Sequence, residues 1–312
     1  MKTSFPVIIL ALLFSNCNSP IKDGNVTVVE ELVADTSALK PVSADAGSAV
    51  EKTRQVFWVG YFLNAENEND AYKNDVYAGE GFTWRRENKI NISIDNINGD
   101  KVSGHSVVAG NSRPFAGTVK TVNGISTFEV KEPGNNKYDG AFSFTTIDSL
   151  LEGTWKSFKK IDIPNRKYRL TKRTFAYNPD IMLTKNARFI DWEKKLNVKQ
   201  PDAEEEEFED AYFSSATGLI FSMNASNKLL NRKEVENLKK GDLLIIRNTI
   251  YARHGYSFKN RPLRVFFDAQ DWYIPVFVDI KSDFTEIEKQ NIELLLRYEK
   301  NAKEYYDYFG RG

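Results

Sequence analysis

From position 55 to about 179, apolar and polar side chains alternate in short runs. Ile90, Ile92 and Ile94 take turns with Asn91, Ser93 and Asp95, the period of a strand with one face buried. Asn98-Gly99 follows, then a run over 101–108. Thr118–Val122, Asn123-Gly124 and Ile125–Val130 repeat the arrangement. Asn-Gly between alternating runs predicts a hairpin, because both turn residues take positive φ. Further strands are predicted at Val56–Leu63, Gly79–Arg86, Tyr138–Thr145, Glu152–Phe158 and Tyr168–Tyr177. Several short strands joined by tight turns predict an antiparallel β sandwich or small barrel over 53–180.

The pattern then changes. Asp180 to Gln200 is expected to form a short helix or an irregular connection, and Pro201–Asp210 is an acidic run. Such a run reads as a solvated linker. It could bind Ca²⁺, but it lacks the regular ligand spacing of an EF-hand. Beyond it the period becomes helical. Asn231 with Glu234 three positions on is a capping-box start, and Lys239-Lys240-Gly241 is a cationic end with a glycine stop. Asp242 is placed to cap a second helix over Leu243–His254, with Leu243, Ile246 and Ile250 on one face and Gly255 closing it. Pro262 suits the first turn of a third helix carrying Leu263, Phe266 and Phe267. Thr285 with Glu288 opens a fourth, whose inner stripe is predicted as Ile287, Asn291, Leu294, Leu295 and Tyr298. The fold class expected is α+β in two domains.

The start of the chain is of another kind. One lysine precedes an apolar run from Pro6 to Phe14, too short for a bilayer core that takes about 20 residues. It reads as a signal peptide over 1–16. Cys17, the only cysteine, stands directly after the run. Leu13-Phe14-Ser15-Asn16-Cys17 resembles a bacterial lipobox, with Asn16 where a smaller residue is usual. The resemblance implies thioether lipidation of Cys17 and a membrane anchor. Residues 18–52 are small and polar without aromatics, the composition of a flexible tether. With no second cysteine for a disulfide, stability must come from packed cores. Lys plus Arg equal Asp plus Glu at 43 each, which argues against a nucleic-acid partner.

The string Arg247-Asn248-Thr249-Ile250-Tyr251-Ala252-Arg253-His254-Gly255-Tyr256-Ser257-Phe258 resembles the signature of the YARHG domain, a small bacterial module expected outside the cytoplasm. Leu263-Arg264, Phe267, Trp272-Tyr273-Ile274-Pro275 and Glu288–Ile292 also fall on the family's pattern. The resemblance runs from about Leu219 to Lys300 and implies no reaction. With it the chain divides into a signal peptide (1–16), lipidated cysteine and tether (17–52), β domain (53–180), connection (181–215) and YARHG domain (216–305).

Candidate chemistry is sparse. Of the two histidines, His105 falls on a strand face with Lys101 and Ser103, a surface position. His254 is the one candidate acid or base. No serine sits in a nucleophile elbow, no His/Cys/Asp group has zinc spacing, and no glycine loop is built for phosphate. No cofactor is expected, and no residue is assigned as catalytic. Arg253 and His254 end the second helix, where cations favour the dipole, yet both fall on its packed side. Buried polar groups need partners, so Arg247, Arg253, His254 and Asn291 are expected to tie the helices together. Trp272 and Tyr273 belong to an aromatic core cluster or to the edge of a recognition groove. Arg247, Asn248 and Asn291 complete the possible binding set.

The expected function is a non-enzymatic binding or assembly module of the cell envelope, on the periplasmic side, with an envelope protein or glycan as partner. Two alternatives remain. One is a hydrolase of envelope polymers using His254, which must then be accessible in a cleft. The other is an apolar-ligand carrier, which needs a cavity of a few hundred Å³ in the β domain.

Overall fold

The computed structural model describes residues 56–66, 87–185, 187–199 and 209–302. The signal peptide, Cys17, the tether, the strand expected at 79–86 and the acidic residues 201–208 lie outside the described residues.

Eight antiparallel strands close into an up-and-down barrel. They are β1 (Val56–Asn64), β2 (Asn88–Asn98), β3 (Lys101–Val108), β4 (Asn111–Val122), β5 (Ile125–Lys131), β6 (Gly140–Ile147), β7 (Leu150–Ser157) and β8 (Asn165–Thr174). Each pairs with the next, and β8 returns to β1 in register from Val56↔Thr174 to Asn64↔Arg166. Closure leaves no free strand edge. Of the two β architectures the alternation allows, the chain adopts the barrel. Inward residues such as Ile92, Phe128, Phe144, Leu151 and Leu170 fill its lumen, and Phe128 stacks on Phe144 at 4.6 Å.

The turns follow their residues. Asn123 and Gly124 both take positive φ between the paired Val122 and Ile125. Asn98 does not, because it pairs with Lys101 inside the ladder and Gly99-Asp100 makes the turn. A bulge at Asp95 bends β2. Opposite it, Gly104 approaches so closely that a Cβ would lie 2.1 Å from the Ser93 carbonyl oxygen, the position a sharply coiled strand reserves for glycine.

The connection departs from expectation. Ile190–Lys199 (β9) and Glu209–Ser215 (β10) form an antiparallel hairpin instead of a short helix or irregular link. Alternating Ile190 and Trp192 pack with Phe213 and Val265, a two-residue period too brief to outweigh the surrounding charges in the sequence.

Four helices follow: α1 (Arg232–Val235), α2 (Lys240–Arg253), α3 (Arg261–Asp268) and α4 (Glu286–Asn301). The Asn231 capping box is present, but it opens a single turn. Lys240 and Gly241 do not stop that helix; they begin α2. A Cβ on Gly241 would lie 2.2 Å from the Ser215 carbonyl oxygen, so glycine is needed for helix-to-strand approach. Asp242 is accordingly not the N-cap residue but the N3 member of the capping box, with Lys239 at the N-cap. It sits in the first turn of α2, accepting from the backbone N–H of Lys239 and Thr217. Gly255 closes α2 at φ +73°, as a left-handed cap should. Thr285 caps α4 with Glu288 in a reciprocal box. The inner stripe of α4 is Glu288, Asn291 and Leu295, whereas Ile287 is exposed. Helix α2 is buried nearly all round.

The barrel docks on this helical part. Phe57 and Val59 on the outer face of β1 pack with Ile274 and Val276. Lys89 of β2 donates its Nζ to the carbonyls of Gln270 and Tyr273 at 3.2 and 3.1 Å. Its backbone N–H donates to Asp268.

Candidate functional site

The pentapeptide at the end of α2 is buried. Tyr251, Ala252, Arg253, His254 and Gly255 all lie inside. His254 is 5% exposed and its Nε2 donates to Glu288 Oε2 at 2.8 Å. The ring stacks on Tyr177 at 4.2 Å and meets Phe284 edge-on at 5.3 Å. Glu288 has no exposure and also accepts from Tyr177 Oη and from the Thr285 N–H. Burial alone would raise the Glu288 carboxyl. Hydrogen bonds from His254, Thr285 and Ser226, with the nearby imidazole charge, hold it below the usual carboxylate value. Arg253 donates to the Ile181 carbonyl and to Ser226 Oγ at 2.8 and 3.0 Å, and burial lowers its guanidinium pKa to about 10.

The other expected site residues are equally enclosed. Arg247 makes a two-pronged contact with Glu299 of α4 at 2.9 and 3.1 Å. Asn248 donates to the Leu244 carbonyl one turn back. Asn291 donates to the carbonyls of Ala225 and Lys228 and accepts from the Leu230 N–H. Arg247 ties α2 to α4 and Asn291 ties α4 to the segment before α1, whereas Asn248 bonds only within α2. These contacts leave Arg247, Asn248 and Asn291 no surface with which to hold a partner, which corrects the expectation of a binding role. Tyr273 is likewise not a groove edge. It is 1% exposed, its hydroxyl donates to the Tyr256 carbonyl at 2.6 Å, and Trp272 beside it is half-buried. His254 lacks the open cleft a catalytic base needs. His105 is partly exposed and reaches Asp95 at 2.9 Å. Among the described residues no group of three or more His, Cys, Asp or Glu could hold a metal, and no helix is long and apolar enough to cross a membrane.

The barrel offers what the helices do not. At the end where β1, β3, β5 and β7 finish, the lumen opens into a cavity of about 320 Å³. Its apolar wall includes Phe62, Ile90, Phe142 and Trp155, and its polar wall includes Ser106, Arg113, Glu132 and Arg166. Glu132 is 5% exposed. Its Oε2 accepts from the Gly140 N–H at 2.7 Å and from Trp155 Nε1 at 3.2 Å, and Ser106 Oγ stands 3.5 Å from Oε1. Burial raises its pKa despite those bonds and the nearby Arg113. Arg166 donates to the Phe62 carbonyl and lies 4.9 Å from the Phe62 ring centre.

None of these lumen charges figured among the expected site residues. The signal was strand parity: Arg113 keeps step with Phe115 and Val119, Glu132 with Phe128 and Val130, and Arg166 with Tyr168 and Leu170. Charges on the apolar face of a strand are a mark of function or of strain.

Glu132 gives a test. A carboxyl with a raised folded pKa opposes folding when ionised, and this penalty grows as pH rises above the unfolded value near 4.5. Glu132→Gln keeps one acceptor for Gly140 and Trp155 and offers an N–H to Ser106. Its melting temperature should exceed that of the wild type by about 2–4 °C at pH 7. The two should coincide below pH 4.5, as followed by circular dichroism.

An antiparallel barrel fixed to a helical module with a structural signature defines a two-domain α+β protein. Residues 219–300 match the YARHG domain, about a quarter of the 312 residues, and this C-terminal region is a YARHG domain. No curated protein and no solved structure matches the chain.

Proposed function

We propose that this protein is an exported, lipid-anchored envelope protein that binds a small ligand in its barrel, with the YARHG domain as a rigid base. The observation that carries the binding reading is the 320 Å³ cavity, which has charged side chains in its wall. Its size falls in the range of ligand pockets, and its few polar groups converge among aromatic rings as in such pockets. The apolar-carrier alternative therefore merges with the binding reading. The hydrolase alternative loses its base to the buried pair with Glu288. Anchoring is supported by the short apolar run before Cys17 and the polar tether after it. The absence of an acidic cluster in the residues after Cys17 favours the periplasmic side.

The experiment is native mass spectrometry of the full chain freshly extracted from membranes. The wild type should carry a small-molecule adduct. Val108→Trp, which fills the cavity mouth, should melt like the wild type and carry none. An empty wild type would overturn the binding reading. In the same preparations Cys17→Ser should leave the membrane fraction.

A further inference from the structure

The cavity has a head and a tail. Its aromatic and aliphatic wall lies in the lumen, whereas its unspent hydrogen-bonding capacity lies at one edge. Glu132 is already engaged by Gly140, Trp155 and Ser106 and has little left to offer a ligand. Arg113 differs. Its Nε lies 3.3 Å from Asp139 Oδ1. Asp139 is fixed in its own loop, its Oδ2 accepting from the N–H groups of Gly134 and Asn136 at 2.9 and 3.1 Å. Guanidinium has five donors, and the four on the terminal nitrogens of Arg113 have no hydrogen-bond acceptor among the described residues, Glu132 lying near enough only for the two charges to attract.

Arg113 also stands where two spaces meet. A second, more polar space of about 450 Å³ shares Arg113 and Asn111 with the lumen cavity and continues past Asn136 to Tyr256 and Lys259 of the YARHG domain. The Lys259 side chain is exposed there. Arg113 thus stands at the junction, with Arg166 in the wall of the lumen cavity and Lys259 in the wall of the polar space. Asp139 is held by Arg113 and by backbone, and Asp162 opposes them from the exposed rim. A planar guanidinium held by its Nε presents its outer edge to a carboxylate or phosphate as a two-pronged donor.

Resting on the small-ligand reading above, we propose that the barrel takes an anionic amphiphile. Its short apolar tail lies between Phe62, Ile90, Phe142 and Trp155, and its carboxylate or phosphate head lies on the terminal nitrogens of Arg113. Anything attached beyond the head runs along the polar space toward Lys259. The lumen volume equals about ten waters at roughly 30 Å³ each, which fits a tail and head of the size of octanoate.

The test is isothermal titration of the full chain carrying Cys17→Ser with octanoate, 1-octanol and octylammonium. Octanoate should bind at least about tenfold more tightly than either of the others. Arg113→Met should lose about tenfold for octanoate and leave 1-octanol within about twofold. Arg113→Lys keeps the charge but not the fork, and should fall between Met and the wild type. It also covers the case in which the Met variant misfolds. Octyl phosphate, run beside octanoate, distinguishes the two head groups. Equal binding of octanoate and octanol, or no effect of either Arg113 variant, would overturn the anionic head while leaving ligand binding intact. No heat from any probe, with an adduct still seen by mass spectrometry, would overturn the amphiphile class alone. No heat and no adduct would overturn both readings.

Discussion

Glu288→Ala is expected to lower the stability of the chain by about 3–5 kcal/mol, a fall on the order of 10 °C in melting temperature for a unit of this size. The side chain has no exposure and accepts from His254 Nε2, Tyr177 Oη and the Thr285 N–H, as well as from Ser226. Truncation leaves a buried imidazole N–H and a half-buried phenol without their acceptor. It also removes half of the box that opens α4. Glu288→Gln should lose less than half as much, since its oxygen can serve His254 and Thr285 while its amide donates to Tyr177. The pH profile separates charge from shape. A carboxylate held below its usual value contributes stability that is full above the unfolded pKa, near 4.5, and is lost as pH falls through the folded one. The advantage of wild type over Glu288→Gln should therefore shrink as pH drops below about 4.5. A constant difference from pH 7 to pH 3, or a melting temperature unmoved by alanine, would remove the His254–Glu288 pair from its structural role.

That pair shows how far the sequence could be read. Helical spacing put Arg253 and His254 on the packed side of α2 and required partners for them. Asn291 stood out because it lies on the apolar stripe of α4, but it holds the carbonyls of Ala225 and Lys228 and not Arg253 or His254; those two find the Ile181 carbonyl, Ser226 and Glu288 instead. Glu288 was legible only as a capping residue, yet it both caps α4 and accepts from His254. Glu299, which holds Arg247, gave no local signal, since a glutamate near a helix end is ordinary. Such pairings lie between positions 34 and 52 residues apart, and no local pattern specifies them.

The barrel was legible strand by strand, because a half-buried strand writes its period into the chain. Closure was not, because it depends on β1 meeting β8 across about a hundred residues. The cavity followed closure into obscurity. Arg113 fell before the expected strand start at Thr118, so its inward parity went unnoticed, although β4 begins at Asn111. The β9–β10 hairpin was hidden by charge, its few apolar residues being spaced among lysines and acids.

The joint between the two domains carries the second large effect. Ile274 is 5% exposed and packs with Phe57 and Val59 of the barrel, outside the main core of either domain. Ile274→Asp puts a carboxylate into this apolar contact, at a cost of several kcal/mol. Both cores remain intact, so the cost falls on the joint. Calorimetry of the wild type should show one endotherm, and Ile274→Asp should show two, with the lower at least about 5 °C below the wild-type value. The space between Arg113 and Lys259 has one wall from each domain. Parting the domains should therefore weaken ligands long enough to reach Lys259, while octanoate, held within the lumen, binds as before. One unshifted endotherm would mean that the docking of barrel on helices contributes little, and that the lysine wall is not fixed relative to the lumen.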